Sequence, residues 1–255
     1  MPFRFERKPE LVAYVTCGDP DLATTRDIVL AMIRAGAAVI ELGVPFSDPV
    51  ADGPVIQRAS ERALKHGTSL EQVLKLAAEI REQSQSVGLI VFTYLNPILR
   101  MGLEKFCKIA RLAGVDGVLV TDLPVEEATS YLDEMEKNEL APIFLAAPTS
   151  TDDRLKRIAA ASNGFVYAVS RTGVTGARKQ LPEDAHALVR RLRKRTKLPI
   201  AVGFGISTAE QFAAVGGYAD AAVVGSAIVD IIERNPRNEA QSVAEFVGRL
   251  LAGSS

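Results

Sequence analysis

Residues 38–43 read AVIELG, a short apolar, β-rich run that carries a carboxylate, Glu41, and ends on a glycine. Seven runs of the same kind recur: LVAYVT at 11–16, LIVFTY at 89–94, GVLVTD at 117–122, PIFLAA at 142–147, FVYAVS at 165–170, PIAVGF at 199–204 and AAVVGS at 221–226. Between them lie amphipathic segments such as TTRDIVLAMIRAGA, SLEQVLKLAAEI, EKFCKIARLAG, EEATSYLDEMEK and DDRLKRIAAAS. Near-continuous apolar strands alternating with helices imply a parallel sheet covered by helices. Eight such units in 255 residues predict an α/β fold, a single (β/α)8 TIM barrel domain over 1–255, with its active site at the C-terminal ends of the strands. The rival, a doubly wound open sheet, would use fewer strands or a second domain.

Bulk properties narrow the function. The chain is 47% apolar with a formal charge of −1, and it lacks the basic, aromatic-studded stripe of a nucleic-acid binder. Its one strongly positive run, RRLRKRTK at 190–197, is expected to be the solvated face of a helix over 183–196. Cys17 and Cys107 are too few for a disulfide framework or a structural zinc site. Neither a leader nor an apolar run of membrane-spanning length is apparent, so a cytoplasmic protein with reduced thiols is expected. His66 and His186 both fall in helical stretches, and no lysine ends an apolar run. A Ser–His–Asp triad, a metal site and a barrel Schiff base are therefore all unexpected. Carboxylates, hydroxyls and backbone amides remain.

Outward from AVIELG the chain continues to give ELGVPFSDPVADGP at 41–54. Asp52 follows Glu41 across a segment stiffened by Pro45, Pro49 and Pro54. Burying Glu41 beside Val39, Ile40 and Leu42 is costly unless it is paired or used. Two acids on a rigid connector, one in an apolar setting, suit acid/base chemistry on a small molecule. The same residues also read as a salt-bridged core Glu and a helix-capping Asp. A barrel favours chemistry, because both carboxylates then lie on the face where the loops follow the strands.

Other strand ends add detail. SRTGVTGARKQLPED after the sixth run, with Gly173 and Gly176 as hinges, reads as a lid or as a plain connector. GFGIS follows the seventh run, and GSAIVDII opens a short helix after the eighth. Glycines admit close backbone approach and a helix N-terminus presents free N–H groups. These two loops are the usual phosphate site of a barrel, so Gly205, Gly225 and Ser226 predict a small phosphorylated substrate.

ELGVPFSDPVADGP, TDLP at 121–124, SRTGVTGA at 170–177, GFGIS at 203–207 and GSAIV at 225–229, in this order, resemble the tryptophan synthase α-subunit family from about residue 11 to residue 235. The resemblance implies a lyase that cleaves indole-3-glycerol phosphate to indole and glyceraldehyde 3-phosphate without a metal or a cofactor of its own. Protonating indole C3 makes the ring an electron sink, and a base must take the proton from the adjacent side-chain hydroxyl. By the resemblance Glu41 is the acid/base, its burial raising its pKa, and Asp52 accepts the indole N–H and stabilises the developing cation. Tyr14, Ile56, Leu119, Leu145, Tyr167 and Phe204 match positions lining the indole pocket, though several are equally readable as barrel core. Thr175 matches a residue closing toward Asp52; Gly176, Gly205, Gly225 and Ser226 match the phosphate cradle.

The family further implies a pyridoxal-phosphate β subunit in an α2β2 assembly that passes indole through a tunnel. The contact faces would be the loop around Pro45–Pro49 and the loop near Tyr94–Met101. The alternatives are a stand-alone lyase, a non-catalytic activator of the β subunit, and another phosphosugar barrel enzyme, which shares only the glycine motifs. In one respect the chain departs from the family: only MPFRFERKPE precedes the first strand, so Phe3 and Phe5 are expected to plug the barrel bottom in place of a longer segment.

Overall fold

The computed structural model of the chain describes residue 3 and residues 5–169, 183–203 and 205–253. Its strands are β1 (Glu10–Thr16), β2 (Val39–Gly43), β3 (Gly88–Thr93), β4 (Gly117–Val120), β5 (Ala141–Ile143), β6 (Leu145–Ala146), β7 (Val166–Val169), β8 (Ile200–Gly203) and β9 (Ala221–Val224). Its helices are α1 (Leu22–Ala35), α2 (Pro54–Lys65), α3 (Leu70–Gln83), α4 (Leu95–Met101), α5 (Leu103–Leu112), α6 (Thr129–Lys137), α7 (Asp152–Ala161), α8 (Glu183–Arg193), α9 (Ala209–Gly216), α10 (Ser226–Arg234) and α11 (Glu239–Ala252). All strand pairs are parallel, in the order β5-β4-β3-β2-β1-β9-β8-β7-β6. This is the barrel expected from the alternating runs.

The fifth run is one chain segment that changes neighbours in its middle. Ala141–Ile143 pairs with β4, and Leu145–Ala146 pairs with β7. Phe144 sits at the switch, where its carbonyl accepts from the Tyr167 amide at 3.2 Å. That single residue joins the two ends of the sheet and makes nine short strands out of eight runs. A local pattern cannot reveal it, because both halves are equally apolar.

Side-chain alternation along the strands separates two cores. Leu11, Ala13 and Val15 of β1 and Ile40 and Leu42 of β2 face the helices and join a large cluster with Ile28, Met32, Leu74, Ile80 and Phe106. Val12, Val39, Ile90, Leu119, Ile143, Phe165 and Val223 point inward and fill the barrel. Phe3 belongs to that inner cluster, only 4% exposed. Its ring meets Phe165 edge-on at 5.5 Å, and Phe5 meets the same ring at 5.8 Å. The expected aromatic plug is therefore present.

Helix starts follow local chemistry. The Asp21 side chain accepts from the Thr24 amide and caps α1, Ser69 and Gln72 form a capping box on α3, and Pro54 opens α2. One expectation needs correction and one gains detail. The segment after Tyr94 is helix α4 and not an open loop; the Asp122 carboxylate, from the loop after β4, accepts from the Leu95 amide at 2.7 Å and stabilises its start. The arginine run is a largely solvated face, as expected, but three of its arginines are also paired. Arg191 and Arg195 both pair with Asp152, and Arg193 pairs with Asp220. These contacts tie the end of α8 to the start of α7 and to the residue that leads into β9, which no reading of the run alone could supply.

Candidate active site at the barrel mouth

Glu41 sits mid-strand in β2, in register with Tyr14 of β1 and Ile90 of β3. Val39 faces inward, so two residues on Glu41 must face inward too. It is 1% exposed, and among the described residues its Oε1 has no hydrogen-bond partner. Among the described residues it makes no ion pair, so the salt-bridged reading does not hold. Burial without a donor pushes its pKa up to about 8, because an unpaired charge in an apolar enclosure is poorly solvated. An unpaired buried carboxyl is expensive for folding and suited to exchanging a proton near neutrality.

Asp52 is half-buried in the loop between β2 and α2. It does not cap α2, whose N-cap is Gly53 with no side-chain bond. Instead its Oδ2 accepts from the Tyr94 hydroxyl at 2.9 Å, and that hydroxyl accepts from the Ala51 amide at 2.9 Å. Burial raises the Asp52 pKa while the Tyr94 hydrogen bond opposes the rise. Tyr94 is itself stacked on Phe46 at 4.8 Å. The two carboxyls thus have different surroundings: one has no donor, the other a fixed one. Such divergence separates a proton donor from a charge acceptor.

Two tyrosines join them. Tyr14 is 5% exposed, meets Phe92 edge-on at 5.1 Å and shares a 3.3 Å hydrogen bond with the Thr16 hydroxyl. Gly43 makes room for it, since a Cβ there would lie 2.3 Å from the Tyr14 hydroxyl; Gly203 does the same for Tyr167, at 2.5 Å. Desolvation raises both tyrosine pKa values, with Asp52 and Glu41 adding their negative charge to each. All four groups therefore share one electrostatic neighbourhood at the mouth.

The other expected residues are distributed unevenly. Ile56, on α2, packs with Tyr14, Ala59 and Val229. Leu145 and Tyr167 are half-buried at the inner cluster's edge, whereas Leu119 is fully buried within it, as the core reading has it. Gly205 follows β8 with φ +66°, a left-handed conformation that glycine adopts freely. Gly225 caps α10 without a side-chain bond, and Ser226 is that helix's first residue. The first-turn amides of α10 are thus available to an anion. Thr175, Gly176 and Phe204, like Gly173, lie outside the described residues. Phe92 and Tyr94 escaped the sequence reading as site residues, yet they continue the inward alternation from Ile90 along LIVFTY, which was a usable signal. Among the described residues no group of three or more His, Cys, Asp or Glu side chains is arranged to hold a metal.

The chain is similar to known proteins over nearly its whole length. A sequence model of the family described as tryptophan synthase alpha chain matches residues 3–251. The tryptophan synthase alpha chain of Solibacter usitatus is 53% identical over 238 residues, covering 93% of this chain and 89% of the relative. That of Cupriavidus metallidurans is 49% identical over 246 residues, 96% of this chain and 93% of the relative. Among solved structures, a tryptophan synthase complex from Pyrococcus furiosus superposes with a TM-score of 0.90 at 38% identity, covering 96% of this chain and 99% of that one. The tryptophan synthase subunit alpha from Legionella pneumophila gives 0.89 at 35% identity, covering 96% and 92%.

Proposed function

This chain belongs to the tryptophan synthase alpha chain family, and from that premise we propose how its barrel mouth performs the alpha reaction. The reaction is a lyase step: indole-3-glycerol phosphate is cleaved to indole and glyceraldehyde 3-phosphate. Protonated Glu41 delivers its proton to indole C3, leaving a cationic ring that can accept an electron pair. The ionised carboxylate then takes the proton from the hydroxyl on the carbon attached to the ring. As that oxygen becomes a carbonyl, the carbon–carbon bond breaks and its electrons return to the ring. Glu41 ends protonated as it began.

The observation that carries this assignment is the buried Glu41 carboxyl with no partner and a pKa of about 8, matched to reversible transfer near neutrality. Asp52, held by Tyr94, accepts the indole N–H and stabilises the transient cation. Tyr14, Ile56, Tyr167 and, by motif, Phe204 enclose the ring, with Leu119 and Leu145 packed beneath. Gly205, Gly225, Ser226 and, by motif, Gly176 bind the phosphate, with Thr175 closing toward Asp52. One barrel domain over 1–255 contains the whole site, consistent with the single sheet.

The partner is a tryptophan synthase β subunit, to which indole passes, in an α2β2 assembly; pyridoxal phosphate belongs to that subunit. Two exposed apolar side chains support this reading: Val50, 87% exposed beside Asp52, and Leu99, 59% exposed on α4. Val50 adjoins the Pro45–Pro49 segment and Leu99 falls within Tyr94–Met101, the two segments matched to the contact faces. Among the described residues no helix is long and apolar enough to cross a membrane, and the proposed location is the cytoplasm.

Indole release from indole-3-glycerol phosphate, measured with the chain alone and with a β subunit, tests the proposal. Slow release that rises sharply with the partner supports the coupled subunit. Fast release indifferent to the partner identifies a stand-alone lyase. Activation of the β reaction without indole release identifies a non-catalytic activator and removes Glu41 from its role.

A further inference from the structure

Helix α2 begins two residues after Asp52, and beyond Val55 and Ile56 at its start, which pack half-buried on the Tyr14 cluster, it is docked with little apolar anchoring. Its buried residues are only Ala59, Ser60 and Ala63, small side chains that grip weakly. What holds its outer half is a set of charges. The Arg62 guanidinium makes two 2.8 Å hydrogen bonds to the Asp19 carboxylate, and its third nitrogen bonds Glu233 Oε1 at 2.8 Å. Arg58, one turn earlier, reaches the same Glu233 at 3.1 and 2.8 Å.

Asp19 is 2% exposed and lies three residues past Thr16, the residue hydrogen-bonded to Tyr14. Glu233 is in the last turn of α10, the helix that starts at Ser226. Inside this ionic frame the helices touch through Ala59 and Val229, packed on Tyr14. Arg62 therefore joins three strand ends at once: the loop after β1, the helix after Asp52, and the helix whose first turn is read as the phosphate cradle.

We propose that Arg62 is a positioning residue that couples the phosphate end of the site to the carboxylate end, by fixing α2 against α10 through Asp19 and Glu233. The proposal rests on the phosphate reading of Gly225 and Ser226. Phosphate at the start of α10 restrains that helix, and the bidentate Arg62 pair transmits the restraint to α2 and so to Asp52. Guanidinium geometry suits this, since its fork serves two carboxylates at once in fixed directions. A mere surface ion pair would add little stability and no coupling.

The test uses glycerol 3-phosphate and indole as probes, titrated separately and together into the full chain, alongside kcat and KM for indole-3-glycerol phosphate. In the unaltered chain glycerol 3-phosphate tightens indole binding about fivefold or more. Arg62→Met removes that coupling while each separate affinity stays within about twofold, and kcat falls on the order of tenfold with KM little changed. Glu233→Gln, which cuts one arm and leaves the buried Asp19 pair, weakens the coupling even if Arg62→Met fails to fold. Coupling unchanged in the variants that fold, or both probes binding the unaltered chain without coupling, overturns the proposal and leaves the cradle reading intact. Failure of the unaltered chain to bind glycerol 3-phosphate overturns the cradle reading and this proposal with it.

Discussion

Replacing Glu41 by Gln should destroy indole release and, at the same time, stabilise the fold. The folded carboxyl holds its proton to about pH 8, against an ordinary value of 4.5. Below about pH 4.5 both folded and unfolded chains carry the proton, and the group contributes no penalty. Between 4.5 and 8 the folded state keeps a proton that the unfolded state has released. Stability then falls by about 1.4 kcal/mol for each pH unit, and the loss levels off once both states are ionised. At pH 7 the accumulated cost is roughly 3 kcal/mol. Gln has nearly the same shape and cannot ionise, so it removes the pH-dependent cost and leaves a buried polar group in place. Urea unfolding at pH 5, 7 and 9 reads the difference. The variant should gain little at pH 5 and roughly 3 kcal/mol at pH 7. A gain that does not vary with pH, or a variant less stable than the parent at pH 9, would refute the argument that an unpaired ionisable group sits in this barrel. A residue whose removal stabilises the protein and abolishes its activity is retained for chemistry.

Three further outcomes follow from named contacts. Tyr94→Phe removes the donor that opposes the burial-driven rise of the Asp52 pKa. The acid limb of the pH–rate profile should move to higher pH and kcat fall roughly 10- to 100-fold, whereas an unmoved limb would free Asp52 from the mechanism or from Tyr94. Gly43→Ala drives a Cβ to 2.3 Å from the Tyr14 hydroxyl, which Phe92 and Thr16 already confine. It should cost about 1–3 kcal/mol in urea unfolding and most of the activity; parental values for both would mean that Tyr14 moves freely. Phe3→Ala opens the barrel bottom, far from the mouth, and should cost about 3–5 kcal/mol with kcat at low temperature within about twofold. A selective loss of kcat without loss of stability would contradict the plug.

The barrel itself was legible because its signals are local. An apolar run of β-rich residues followed by an amphipathic segment reports on one strand and one helix, and eight repeats leave few architectures. The same parity that puts Val39 inside puts Glu41 inside, so even the direction of the catalytic candidate could be read from AVIELG. Proline spacing placed Asp52 beyond the strand end. Gly225 before Ser226 marked a helix start open to an anion.

Tertiary structure decided what depends on partners distant in sequence. That Glu41 has no partner among the described residues cannot be known until its neighbours are in place. Tyr94 reaches Asp52 across 42 residues, and Arg62 reaches Asp19 across 43 and Glu233 across 171. The break at Phe144, where one run serves two neighbours, and the arginines of 190–197, spent on Asp152 and Asp220, belong to the same class. The physical reason is common to all of them. Backbone preference and hydrophobic period are properties of adjacent residues, whereas hydrogen bonds and ion pairs between strand ends exist only once barrel closure has set the register. Sequence alone therefore determined the scaffold and where its two candidate acids lie along it; closure of the barrel determined which of them stands unpaired and which is held.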